Sequence, residues 1–345
     1  MKHDIAPRVG RRARSIGLVD EAAALTWIGR WGYSSPKVIA ALTSKGMVSK
    51  LMRSGFILAE KHQNKKNKAH YAIVLTKAGV SRALWLADCV RVDNTVAQIA
   101  VRRGFRMLLL DVMAAAPALG VVRSNDLNHD LKLQYYIAAL IRAHGDKIGP
   151  AAFSMQIEAT SMRTTRELER RVRRAGRRIA DFEIRGQLLQ PVNEQFGNFS
   201  LFLEFENSRK RSDEYDEILL DWNARIGNGS KSVFILCDTL ELRNTWQALA
   251  WGREMVPVLE QDKAGRFVLD ENGRRKPTGE TKPLNLSKAN FPIGVIDWPT
   301  VANFARSKRE EFIESQAVDD YVSDESPRLQ GHPSMKALLK SLARK

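Results

Sequence analysis

The sequence predicts a mixed α/β (α+β) chain with two folded units, and three observations carry that expectation. In the N-terminal stretch, three helical patterns precede two strand-type runs. After residue 145 the texture changes, and short apolar runs alternate with helical patterns. The chain has 345 residues, 44% of them hydrophobic, enough for two cores of ordinary size.

Residues 1–17 read as a flexible basic arm. A first helix is expected from about Asp20, standing as an N-cap before EAAALTWIGRWG. Ser34-Ser35-Pro36 opens a short second helix, with serine at the cap and proline in the first turn. The third helix, GMVSKLMRSG, starts at Ser44 or Lys45 and is stopped by Gly55. FILAEKH and HYAIVLT then read as strands around the basic loop QNKKNK, and Thr76 opens another helix.

Three helices followed by a hairpin with a basic tip is the order of a winged helix-turn-helix, here residues 18–90. In that motif the second helix of the helix-turn-helix enters the major groove. Lys45, Ser49, Lys50 and Arg53 are then placed to face DNA, with Met47, Val48, Leu51 and Met52 on the buried side. Lys65, Lys66 and Lys68 at the hairpin tip would reach phosphate or the adjacent minor groove. The alternative is a protein-interaction module of the same shape.

Residues 91–127 read as a helical connector. Its stretch 107–122 is the most apolar of the chain, but Asp111 and Pro117 make it a buried helix and turn rather than a membrane span. Residues 129–145 form a good amphipathic helix. Strands are expected at 152–160, 178–186, 199–207, 232–238 and 293–298, with helices at 161–178, 212–226 and 240–254. Turn signals at Ala264-Gly265 and Asn272-Gly273 suggest a hairpin insertion at 256–284. The second unit spans 128–304 with a central mixed sheet, and 305–345 is a charged tail.

A formal net charge of +16 favours a polyanionic partner, nucleic acid ahead of an anionic membrane surface. Double-stranded DNA is the expected ligand. The basic N-terminus lacks a following apolar signal core. Cys89 and Cys237 are too far apart in sequence for a CxxC zinc ribbon and argue against a disulfide scaffold. A cytoplasmic location and a homodimer complete these expectations, with no membrane partner.

Four strand-borne acids stand out: Glu158, Asp181, Glu204 and Glu206. Residues two apart on a strand share a face, so Glu204 and Glu206 project together from a run rich in Leu and Phe. Charges on an apolar strand are costly unless they meet a cation. Clustered carboxylates suit Mg²⁺ or Mn²⁺, which activate water for phosphodiester attack. The alternative partner is arginine: Arg166, Arg170, Arg173 and Arg174 recur at helical steps in 161–178 and would form a basic face. That face could track a phosphate backbone, or be a solvated helix. Tyr135, Tyr136 and Tyr215 read as packing residues, and the six scattered histidines make no His-hydrophobe-His metal site.

The order of these features resembles the plasmid replication-relaxation proteins, which include the MOB-C type relaxases. The resemblance runs from about residue 19 to 240 and rests on LTKAG, Asn128-His129-Asp130-Leu131, MQIEA, IADFEI, FLEFENS and SVFILCD. It implies a winged helix followed by a PD-(D/E)xK, restriction-endonuclease-like domain. In that pattern Asp181 falls at the metal-binding aspartate and Glu204 at the second acid, with Glu158 as a further ligand. Glu206 falls where many members carry lysine, and His129 on the first helix of the nuclease core. Ala180 stands in place of the motif's proline, and the nearest lysine to the third position is Lys210. The implied function is metal-dependent nicking of DNA at an origin-like site of a mobile element, with single-stranded DNA at the nick and transfer or replication proteins as partners. Asp181, Glu204, Glu206 and Lys210 would be catalytic. The alternative is a regulator or mobilisation accessory factor on a degenerate nuclease fold.

Overall fold

The computed structural model describes residues 6–63, 69–111, 127–157, 180–189, 196–226, 231–263 and 266–307. Helix α1 runs Ala6–Trp31. The basic arm expected over 1–17 is therefore helical from Ala6, and Asp20 lies inside the helix rather than capping it. Pro7 sits in the first turn, where its missing N–H costs nothing, and no other proline interrupts the run to Trp31. Asp20 is fully buried and caps something else. Its Oδ2 accepts from the Ser44 amide at 3.0 Å and its Oδ1 from Arg103 Nη2 at 2.5 Å.

Helix α2 spans Pro36–Leu42, with Ser35 Oγ accepting from the Val38 amide at 3.2 Å. Helix α3 spans Met47–Arg53. It starts later than the sequence suggests because Gly46 has φ +89°, a left-handed conformation that only glycine adopts freely. Strands β1 (Ile57–Gln63) and β2 (Ala69–Leu75) pair antiparallel. Ser34, between α1 and α2, adds a rung to this hairpin: its amide and carbonyl each bond Ile73 at 2.9 Å. Helix α4 (Lys77–Val92) begins at Thr76, whose Oγ1 accepts from the Gly79 amide at 3.0 Å. Helix α5 (Asn94–Arg102) and a π-helical turn (Arg106–Leu110) follow.

Helix α6 (Leu127–Ala151) begins the second half. Gly145 and Gly149, one turn apart, let the end of α5 lie against it: a Cβ on Gly149 would sit 1.8 Å from the Val101 carbonyl oxygen. Next come β3 (Ala152–Ile157), β4 (Phe182–Leu189), β5 (Phe196–Glu206), α7 (Ser212–Ile226), β6 (Lys231–Cys237) and α8 (Leu240–Trp251). Strands β7 (Met255–Leu259) and β8 (Pro277–Pro283) form a separate antiparallel ribbon where the hairpin insertion was expected. Strand β9 (Ile293–Val295) and helix α9 (Trp298–Arg306) complete the described chain. The central sheet is mixed, in the order β3-β4-β5-β6-β9. Its first three strands are antiparallel, and β6 and β9 run parallel to β5 and β6 respectively.

Side chains alternate across this sheet. Phe182, Ile184, Leu201, Leu203, Phe205, Phe234 and Leu236 join a core that includes Tyr136 and Ile137 of α6. That core continues without a break into the N-terminal helices: Trp31 stacks on Phe182, with centroids 6.4 Å apart and planes 4° from parallel. The opposite face buries Val233, Ile235 and Cys237 against Tyr215, Trp222 and Trp246 of α7 and α8. The helix–hairpin unit and the sheet unit thus share one hydrophobic core. Arg142 of α6 reinforces the joint, donating to the carbonyls of Thr43 and Ser307 at 2.8 Å each. Among the described residues no helix is long and apolar enough to cross a membrane.

Candidate functional site

Among the described residues, two of the places that gather charged side chains hold the residues expected to form sites. The first is the outer face of α3. Met47 and Leu51, four residues apart, are buried, and Val48 flanks them. Lys45, Ser49, Lys50 and Arg53 are exposed. Met52 is 45% exposed, which corrects its assignment to the buried side. At about 100° per residue it lies roughly 140° around the helix from Met47, outside the inward arc. Arg53 Nε donates to the Ser49 carbonyl at 3.3 Å, so it lies along the helix. Lys50 leans away to Glu21 of α1, Nζ to Oε2 at 2.6 Å. Arg82 of α4 takes the other oxygen, Nε to Oε1 at 2.7 Å. Burial disfavours the Glu21 carboxylate, but these two cations outweigh it and hold its pKa below 4.5. Lys65, Lys66 and Lys68 lie outside the described residues, as do Glu158, Arg166, Arg170, Arg173 and Arg174.

The second place is one end of the sheet, where β5 ends and β4 begins. Phe182 pairs with Leu203, so Asp181 sits beside β5 just past the last rung of the ladder. There the Phe205 amide and carbonyl have no β4 partner. Asp181 Oδ2 accepts from the amide at 2.8 Å, and His129 Nε2 donates to the carbonyl at 2.7 Å. His129 Nδ1 faces Asp130 Oδ1 at 3.0 Å, so both ring nitrogens face acceptors and both must carry protons. Burial opposes that charge. Asp130 and Asp181, the latter 3.4 Å from Nε2, overcome it and raise the pKa to about 11. Tyr33, fully buried between α1 and α2, donates its hydroxyl to Asp130 Oδ2. A chain of polar contacts therefore leads from the helix–hairpin unit to Asp181.

Glu204 and Glu206 are both buried. They share the sheet face of Phe202, which packs on Trp222, opposite to Leu203 and Phe205. The chain after β5 leaves the strand geometry, and Lys210 turns back to pair with Glu206. The lysine that the sequence puts four residues beyond the motif thus does reach the acid. Beside Glu206, burial and that carboxylate push the Cys237 thiol well above its ordinary pKa, which disfavours the nucleophilic thiolate. Tyr135, Tyr136 and Tyr215 are buried packing residues.

Mg²⁺ and Mn²⁺ take oxygen ligands in near-octahedral arrays and need carboxylates turned towards them. Asp181 is instead engaged by the Phe205 amide and an imidazolium, and Glu206 by Lys210. Among the described residues no three acidic, histidine or cysteine side chains converge as a ligand set. As arranged, Asp181 and Glu206 are committed to other partners and do not fit the ion.

Residue-by-residue reading missed Tyr33, Glu21, Arg82 and the His129–Phe205 bond. Their partners are distant in sequence, 97 positions for Tyr33 and Asp130, so no local spacing marks them. The adjacency of His129 and Asp130 was the one available signal. The chain matches no protein-family model, no curated protein and no solved structure.

Proposed function

We propose that the protein binds duplex DNA, with α2, α3 and the β1–β2 hairpin acting as a winged helix-turn-helix. The observation that carries this reading is the two-sided character of α3. Met47 and Leu51 anchor it, while Ser49, Lys50 and Arg53 on the helix and Lys45 just before it stay exposed beside a hairpin braced by Ser34. The net charge of +16 supports the same partner. The sheet unit follows the order helix, three antiparallel strands, helix, parallel strand. We read it as a restriction-endonuclease-like scaffold in which Asp181 and Glu206 are tied into internal ion pairs. The resemblance to replication-relaxation proteins supports a mobile-element setting. Fluorescence anisotropy with duplex DNA flanking the protein's own gene tests the proposal. Binding that weakens steeply with salt and is reduced by Arg53→Ala and Lys45→Ala is expected. Salt-insensitive or absent binding would overturn it.

A second reading, metal-dependent nicking, is favoured by one observation: Asp181, Glu204, Glu206 and Lys210 gather at one end of β4 and β5. A supercoiled plasmid incubated with Mg²⁺ or Mn²⁺ separates the two. Open circle that disappears with Asp181→Ala supports nicking. Shifted but uncut DNA under every metal condition supports the scaffold.

A further inference from the structure

At the junction of α1, α3 and α4 lies an open cavity of about 490 Å³, lined by Arg14, Gly17, Leu18, Glu21, Lys50 and Arg82. Its floor is Glu21, only 5% exposed, while Lys50 and Arg82 remain 50% and 33% exposed. Each Glu21 oxygen holds one cation by one donor. The remaining N–H donors of both cations stay available. Among the described residues the terminal amino groups of Arg82 have no hydrogen-bond partner. The guanidinium carbon also lies over the half-exposed Trp85 ring, 4.5 Å from its centroid. Arg14 adds a third, exposed cation.

Three cations and a single carboxylate line the cavity, so it carries excess positive charge. Its two best-held cations are fixed in place before any ligand arrives. A concave site of that kind suits a phosphate, which accepts several charge-assisted hydrogen bonds at once. Lys50 belongs to α3, so a phosphate held here lies beside the groove that α3 would enter.

We infer that this cavity is a clamp for one phosphodiester of the DNA backbone, held by Arg14, Lys50 and Arg82. Glu21 is the positioning residue that aims two of them. The inference rests on the DNA-binding reading and sharpens it: Lys50 anchors the backbone rather than reading a base. Phosphate anchors act on all sequences alike.

Glu21→Gln separates the clamp from a diffuse basic surface, because the two give opposite signs. Removing a negative charge from a diffuse surface tightens DNA binding. Removing the brace of a clamp weakens it, here by about three- to tenfold. Arg82→Ala is expected to weaken binding about tenfold on every duplex and to lower the slope of log affinity against log salt by about one. Arg14→Ala, at an exposed position with no folding risk, is expected to act in the same direction. Thermal melts check the fold of each variant, and Arg82 and Arg14 decide if Glu21→Gln unfolds. Wild-type binding with unchanged or tighter variants overturns the clamp and leaves the DNA-binding reading standing. No binding by the wild type overturns both.

Discussion

At Glu21 a buried carboxylate holds two cations that remain partly in water, whereas at Asp181 the carboxylate is itself held, by a backbone amide and an enclosed imidazolium. Both networks join a carboxylate to nitrogen donors from other elements of the chain. They differ in where the cation ends up. Lys50 and Arg82 keep donors facing solvent, so Glu21 leaves them open to a ligand. His129 spends both nitrogens on Phe205 and Asp130 and is 17% exposed, so its charge serves the fold. The lesson is that a charged cluster is not a site by virtue of its residues alone. The exposure of the remaining donors decides whether it can take a ligand.

The comparison presumes one continuous core beneath both networks, and its largest test is Trp31→Ala. Losing the buried indole that stacks on Phe182 is expected to cost about 3–5 kcal/mol. The cost should appear as one earlier transition in urea, monitored by fluorescence and circular dichroism together. Separate transitions for the two halves would break the premise. Next, His129→Ala leaves the Phe205 carbonyl, Asp130 and Asp181 without their shared donor. A loss of about 2–3 kcal/mol is expected from the same urea curves.

The pH dependence of stability should run in opposite directions at the two networks. The His129 pKa rises on folding from 6.5 to about 11. Its contribution is therefore full below pH 6.5 and is lost as pH rises towards 11. Glu21 is depressed below 4.5, so its contribution is present above that value and is lost on acidification through the lower folded pKa. Urea midpoints across pH should flatten on the alkaline side in His129→Asn and on the acid side in Glu21→Gln. An unchanged alkaline limb in His129→Asn would show that the ring is not an imidazolium. The smallest stability effect is expected for Arg82→Ala, no more than about 1 kcal/mol, because its ion pair is partly solvated. Combined with the affinity loss above, that contrast marks a residue placed for a ligand rather than for the fold.

Much of the element order was legible because its signals are local. Ser35-Pro36, Thr76 and the apolar runs of β1, β2, β5 and β6 sit where caps and alternation indicate. The start of α1 was not legible, because a basic run holding Pro7 and Gly10 looks alike as an arm or a helix. Asp20 misled for the same reason. An acid before an apolar run signals an N-cap, and only the distant Ser44 amide and Arg103 reveal it as an interior brace.

The candidate site divides along the same line. Covalent order and periodicity by themselves put Lys45, Ser49, Lys50 and Arg53 on an outward arc, and put Asp181, Glu204 and Glu206 on strands of one sheet. Only the tertiary structure decided which cation each acid meets: Lys50 and Arg82 at Glu21, His129 at Asp181, Lys210 at Glu206. The physical reason is range. Helix and strand patterns are set by neighbours within a turn or two, whereas a buried charge is settled by whichever donor the packing of remote segments brings within hydrogen-bonding distance.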